Sequence, residues 1–492
     1  MAVSSKPRAV DPTGAQALTE RSATALAAAI RAGETSAREV VEAHVALLRR
    51  RNPTLNAVVA DRYEAALADA DAADARIAAA EDPATLPPLL GVPCTIKESI
   101  ALAGMPNCTG LVARAAVRSE QTAPAAQRLI DAGAIPLGVT NTSELCMWIE
   151  SNNRVYGRTS NPYDATRIAG GSSGGEGAAV GSGGSPVGLG SDVGGSIRGP
   201  AFFNGVFGHK PTPGLVPMTA TYPPVGETEV ARMVANGPLT RRAEDLMPLM
   251  RTLAGPDGVD PSTRAVELGD PGGVQLDGLR VVIAEDGFVS PIARELLAAR
   301  EQAAGALAAA GARVERVSMR AMRGIYEPFL AALGDGDETL HELIVGEGAE
   351  HATWRSLLRR GGPHTTPTRL LLGAERLSAR APAARAQRMI EAGRAFANAV
   401  AETIGDGVML HPPYPNVAPR HGRTIGRLWW IHPMAVFNLA ATPVTQVPLG
   451  LGRAGLPLGV QVAAAPDRDH VSIAVALELE RVFGGWVPPA GA

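Results

Sequence analysis

The sequence predicts an α/β fold, a sheet buried on both faces by helices, and three observations carry that reading. Two short apolar runs bounded by Gly and Pro, Leu89 to Lys97 and Ala134 to Thr140, have strand length and no helical stripe. A helical pattern at about 122–132 lies between them, and strands alternating with helices make a sheet covered on two sides. The chain of 492 residues, 46% hydrophobic and 19% charged, supplies a core that needs neither disulfide nor metal staples.

Residues 1–13 read as a tail and 14–487 as one domain. The stretch 14–82 reads as helices. Ser36 and Glu39 make a capping box, and Val40, Val41, Val45, Leu47 and Leu48 keep an apolar stripe behind it. An Ala-rich helix follows from about Asp61 to Ala80, ended by Asp82-Pro83. From 89 to 285 the strand–helix alternation sets in. The stretch 286–406 is richer in Arg and Ala and reads as a helical subdomain beside the sheet, with a pattern from Ala381 to Thr403. Strands are expected at 279–284, 407–410, 443–451 and 457–464, and a closing helix from about His470 to Phe483 within the final stretch, 407–487.

Composition narrows the partners. A net charge of −3 with both signs spread along the chain argues against nucleic acid. No stretch approaches the roughly 18 apolar residues of a membrane span, and the N-terminus carries no apolar core of a secretory signal. Cys94, Cys108 and Cys146 are odd in number and lack CxxC spacing, so neither a disulfide framework nor a metal site is expected. A cytoplasmic enzyme or binding protein remains.

Of the 46 basic side chains only Lys6, Lys97 and Lys210 are lysine, the other 43 being arginine. A lysine at the end of an apolar run, as Lys97 is, offers what Arg does not: when buried it can become neutral near physiological pH. The second unusual feature is Gly170 to Gly214, with sixteen glycines in 45 residues. A solvated linker would not carry its apolar interruptions, Ala178-Ala179-Val180, Val187-Gly188-Leu189 and Ala201-Phe202-Phe203. Glycines among core residues instead imply close backbone approach, as in a site built from main-chain amides.

Three chemistries fit such a segment to different degrees. Phosphate binding is disfavoured, because Glu176 stands where a phosphate loop needs no carboxylate and no Gly-Lys-Ser/Thr closes it. Gly170-Gly171-Ser172-Ser173-Gly174 formally matches a nucleophile elbow, but a loop, not a strand, precedes it. A Ser-Lys relay needs a lysine that loses its charge, an attacking serine and amide donors for the oxyanion. Lys97 provides the first, and Ser196 behind Val193-Gly194-Gly195 the others.

The runs Gly170 to Gly177, Gly190 to Arg198 and Gly208 to Thr212 resemble the amidase signature family, nearest its fatty-acid amide hydrolase branch. The resemblance extends through Leu90 to Glu98, Thr140 to Trp148, Gly157 to Tyr163, Thr442 to Gly450 and Gly455 to Gln461, covering most of 20–487 and looser over 286–406. It implies a mixed, twisted central sheet covered by helices, and an amidase that forms an acyl-enzyme. By the same resemblance Ser196 is the nucleophile, Ser172 the bridging serine held by a cis peptide, and Lys97 the base. The amides of Val193, Gly194, Gly195 and Ser196 match the oxyanion hole, and the Cys146 carbonyl the acceptor of the substrate N–H. The substrate implied is an amide with a hydrophobic, fatty acyl group, while shorter acyl or aryl amides are equally compatible with the sequence; no cofactor is implied, and a homodimer is compatible with it.

Ser173, Asp192 and Arg198 read as supporting residues that brace the loop, and Lys210 likewise. Glu98 stands where many family members have Asp, although the fatty-acid amide hydrolase branch also has Glu there, and its role does not follow from the sequence. Trp148, Trp429, Trp430 and Phe437 are either acyl-channel residues or core, and Thr368 to Gly373 either a short apolar cap or a buried helix turn. Three alternatives stay open at this point: an amidotransferase-type subunit working with partner chains, a Ser-His-Asp hydrolase, and a non-enzymatic anion binder.

Overall fold

Ser36 opens the long helix Ala37–Leu55 as expected: its Oγ accepts from the Glu39 amide at 3.0 Å, and the Glu39 carboxylate accepts from the Ser36 amide at 3.1 Å. The Val40, Val41, Val45, Leu47 and Leu48 stripe is buried. The computed structural model describes residues 17–335, 338–345, 361–378 and 383–490; the expected tail at 1–13, with Lys6, lies outside them.

Among the described residues eleven strands form one mixed sheet. They are β1 (Val58–Asp61), β2 (Pro93–Lys97), β3 (Ile135–Thr140), β6 (Val187–Asp192), β7 (Phe207–Lys210), β8 (Ala235–Thr240), β9 (Arg280–Ala284), β10 (Arg313–Val317), β11 (Val408–His411), β12 (Val444–Leu451) and β13 (Pro457–Ala464). The hairpin of β4 (Asn152–Asn153) and β5 (Gly157–Arg158) stands apart. The sheet order is β1-β3-β2-β6-β8-β7-β12-β13-β11-β9-β10. β2 runs parallel to β3 and β6, and β9 to β10 and β11, while the middle of the sheet is antiparallel.

Alternate residues of one strand feed different cores, as strand geometry requires. Val281, Ile283, Val408 and Leu410 face a cluster shared with the helices Ala37–Leu55 and Asp469–Phe483. Val282, Ala284, Met409 and Ala463 face a second cluster with Phe329, Val400 and Phe437. Both faces are therefore covered by helices.

The departures from expectation have physical causes. β1 interrupts the stretch expected to be wholly helical, after Asn56 ends the first long helix in a left-handed conformation, φ 49°. β10 joins the sheet edge from within the stretch expected to be a helical subdomain. β10 reads Arg-Val-Glu-Arg-Val, a charged edge without an apolar strand signal. Within the glycine segment, β6 and the helix Gly174–Gly181 form despite poor intrinsic propensity. Every residue of both is buried, so tertiary packing overrides it.

Candidate active site

The carboxyl ends of the parallel strands β2 and β6 bring the site together. Lys97 is the last residue of β2, and its Nζ lies 2.6 Å from Ser172 Oγ and 2.8 Å from Ser191 Oγ. Lys97 is 0% and Ser172 1% exposed, whereas Ser196 reaches 8% and is the most accessible of the three. The Ser173 amide donates to the Ser196 carbonyl at 3.3 Å, joining the Ser172 and Ser196 loops. The Gly171–Ser172 peptide bond is cis.

Burial lowers the Lys97 pKa, and the neighbouring Cys146, Asp192 and Glu176 oppose that shift. Glu176 opposes it weakly, because burial pushes its own carboxyl up to about 8. That carboxyl accepts from Thr95 Oγ1 of β2 at 2.6 Å and Thr140 Oγ1 of β3 at 2.7 Å. It thereby fastens the glycine helix under the two strands. A Cβ on Gly175 would collide with the Asn141 amide and lie 2.7 Å from the Ala57 carbonyl, so glycine is required for the helix to lie that close.

The loop before Ser196 is shaped by Asp192 and Arg198. Asp192 Oδ1 accepts from the Gly195 amide at 2.8 Å, and Oδ2 from the Ile197 amide at 3.0 Å and Arg198 Nε at 3.0 Å. Arg198 reaches on to the Met434 carbonyl, Gln461 Oε1 and Asn438 Oδ1 at 3.0, 2.8 and 2.5 Å. Burial alone would raise the Asp192 pKa, but the Arg198 guanidinium and Asn438 hold it well below the carboxylate range. Of the four amides matched to an oxyanion hole, Gly195's is thus directed into Asp192. Those of Val193, Gly194 and Ser196 donate to no group among the described residues.

Cys146 follows β3 on the turn Glu144–Cys146 at φ 58°, with its carbonyl accepting from no described residue. Ser173 Oγ bridges the Ser191 amide and carbonyl at 3.4 and 3.3 Å, a bracing contact. Glu98, whose role sequence left open, accepts from the Cys108 and Thr109 amides at 2.7 and 2.8 Å and from Tyr156 Oη at 2.8 Å. It fastens a loop in which Thr109 has φ 52°.

Lys210 is fully buried and donates to the Pro211 carbonyl at 3.0 Å; burial, then Arg198, brings its pKa down to about 7. His209 is spent on Asp469 at 3.0 Å and Thr445 Oγ1 at 2.9 Å. Among the described residues no histidine hydrogen-bonds Ser172 or Ser196, which leaves a Ser-His-Asp arrangement without its base.

Of the aromatics, Phe437 is core, edge-on to His411, and Trp148 is buried with Nε1 donating to Thr424 Oγ1 at 2.9 Å. Trp430 packs on Tyr414, and Trp429 is half exposed. The Thr368 to Gly373 stretch lies in the helix Thr366–Ser378, with Leu372 buried and Leu370 exposed. Sequence reasoning missed Ser191, one position before Asp192, and the apolar neighbours of the Gly194-Gly195 pair. A Cβ on Gly194 would meet Phe329 at 3.5 Å and Ile431 at 3.8 Å, and one on Gly195 would strike Met434. Those three side chains come from helices far along the chain, and no local motif marks them.

Residues 39–472 match the family described as Amidase. Fatty-acid amide hydrolase 2-B of Danio rerio is 41% identical, over 95% of this chain and 90% of the relative. Fatty-acid amide hydrolase 2 of Homo sapiens is 39% identical, over 94% and 89%. The solved structure of 6-aminohexanoate cyclic dimer hydrolase complexed with substrate superposes with a TM-score of 0.80 at 25% identity, covering 96% of this chain and 99% of that one.

Proposed function

The chain belongs to the amidase family and is an amide-hydrolysing enzyme, and on that premise we propose that it cleaves amides of hydrophobic acids through Ser196, Ser172 and Lys97. The observation that carries this reading is the 2.6 Å contact between a fully buried lysine amine and Ser172 Oγ. A buried lysine of lowered pKa is a base, and a serine hydroxyl beside it both accepts and donates a proton.

Ser196 Oγ attacks the substrate carbonyl carbon while its proton passes to Ser172 and that of Ser172 to Lys97. The oxyanion is received by the amides of Val193, Gly194 and Ser196, each such donor worth about 3 kcal/mol. Gly195, its amide taken by Asp192, holds the shape of the loop. The free Cys146 carbonyl accepts the substrate N–H. Lys97 then returns its proton through Ser172 to the leaving nitrogen, the carbon–nitrogen bond breaks, and the amine departs. Water hydrolyses the ester on Ser196 by the same relay, so that amide and water become acid and amine.

The acyl group is hydrophobic on two grounds. Phe329, Ile431 and Met434 lie against the Gly194-Gly195 pair, and the fatty-acid amide hydrolases are similar over nearly the whole chain. No helix among the described residues is long and apolar enough to cross a membrane.

The test is turnover of a series of amides of graded acyl length by the purified enzyme and by Lys97→Arg and Ser196→Ala. Both variants should lose activity, Lys97→Arg by at least about 1000-fold, since an arginine keeps the charge but does not become a neutral base. Substantial turnover by Lys97→Arg would remove the lysine from the mechanism. A rate that does not depend on acyl length would remove the hydrophobic substrate.

A further inference from the structure

We infer that Ser151, outside the glycine segment, is a positioning residue for the proton relay: its buried hydroxyl fixes the main chain that carries Ser172. This rests on the reading of Lys97, Ser172 and Ser196 given above.

Ser151 Oγ donates to the Ser172 carbonyl at 2.8 Å and accepts from the Gly174 amide at 2.9 Å. Its own amide donates to the Gly170 carbonyl at 2.9 Å. One residue therefore makes three hydrogen bonds to the five-residue run 170–174 and brackets Ser172 from both sides. Ser151 is buried, so water does not compete, and both the donating and accepting capacity of its hydroxyl are used. The fit leaves no slack. A Cβ on Gly174 would lie 2.5 Å from Ser151 Oγ, and one on Gly171 would lie 2.8 Å from the Glu150 amide nitrogen. The runs 148–151 and 170–174 lie backbone against backbone.

The holding run is itself held. The Glu150 carboxylate pairs with His421 Nδ1 at 2.9 Å and accepts from the Gly422 amide at 3.0 Å, and the Thr159 amide donates to the Ser151 carbonyl at 2.9 Å. Trp148 is tied to Thr424. Ser151 is thus a fixed peg, and Ser172 hangs on it 2.6 Å from Lys97.

The relay asks two things of Ser172: to take a proton from Ser196 and to deliver one to the leaving nitrogen. An amide needs both, because the nitrogen leaves only once protonated. An ester depends less on the second, because an alkoxide is a better leaving group. Displacing Ser172 by a fraction of an ångström should accordingly cost amide turnover more than ester turnover. A merely structural role would lower both together.

The experiment compares wild type, Ser151→Ala and Ser151→Cys on an amide and an ester of the same acyl group, with Ser196→Ala as control. Ser151→Ala should lower amide kcat by about tenfold or more, the kinetic equivalent of one net hydrogen bond, and ester kcat by less than about threefold. KM should change little for either substrate. Ser151→Cys, nearly equal in volume but a weaker donor, should fall between wild type and Ala in the amide-to-ester ratio, and it carries the test if the Ala variant does not fold. Equal losses on amide and ester, or a change confined to KM, would overturn the assignment. Turnover surviving in Ser196→Ala would instead overturn the underlying triad, so the two failures are told apart.

Discussion

Lys97 acts as a base only when neutral, and burial moves it toward that state. Because the neutral fraction grows as pH rises, amide kcat/KM should increase with pH and level off with a midpoint below about 10.4, the ordinary lysine value. A midpoint at or above that value would contradict the assignment. Ser191 Oγ, 2.8 Å from Nζ, is one of two side-chain oxygens hydrogen-bonded to this amine. A hydrogen bond accepted from an ammonium favours the charged form. Ser191→Ala should therefore move the midpoint further down while lowering kcat by about tenfold, because Nζ loses one of its two anchors. An upward shift, or an unchanged kcat, would count against that role. Residues of this kind were unequally legible. Lys97 stood out because the chain uses arginine almost everywhere else, and the serines because a known motif surrounds them. Ser191 and Ser151 are ordinary serines whose importance comes from what the fold brings beside them.

The glycine segment was legible in purpose and not in form. Its apolar interruptions showed that it was no linker, but nothing in its periodicity separated β6 from the helix Gly174–Gly181. Glycine carries no side-chain pattern, and a segment chosen for close backbone approach loses the signal on which strand and helix assignment rests. β2, β3, β12 and β13, built from bulky apolar residues between breakers, fell within a few residues of their expected bounds. The packing explains why the glycines are not replaceable at this scale. Gly175→Ala would drive a methyl between the Asn141 amide and the Ala57 carbonyl, both main-chain groups at the head of a buried helix. Backbone on two sides does not yield, so the substitution should cost about 3 kcal/mol, at the upper end of overpacking effects. A lower midpoint of denaturant unfolding would report it, together with lost activity, since the same helix follows Ser172. Wild-type stability in Gly175→Ala would show that the helix has room to move.

Across the whole molecule, the order of the sheet was the least legible feature, because its pairings join residues hundreds of positions apart. β7 pairs with β12, and His209 ties β7 to Asp469 on the C-terminal helix. The same holds for the part that covers the site turn. Leu340, Leu343, Ile344 and Leu372 pack on Leu145, and beneath them Glu144 pairs with His364 Nδ1 at 2.7 Å. The Glu144 carboxylate also accepts from the Thr365 amide and Thr368 Oγ1, each at 2.8 Å. One buried carboxylate thus links the turn bearing Cys146 to the start of the helix Thr366–Ser378. Glu144→Ala would leave these groups unpaired, at about 1–3 kcal/mol for each buried one, and should lower the unfolding free energy by about 3 kcal/mol at pH 7. The sign of its pH dependence follows from the carboxyl itself. Burial would raise its pKa, but His364, the Thr365 amide and Thr368 together bring it below the ordinary value. A depressed carboxyl contributes stability that is complete above its unfolded pKa, about 4.3, and is lost as pH falls through the lower folded pKa. The stability gap between wild type and Glu144→Ala should consequently narrow on acidification through that window. Denaturant titrations of the two proteins between pH 7 and pH 3 decide the matter, and a gap that stays constant to pH 3 would mean that the carboxylate charge does not hold this part of the molecule to the turn.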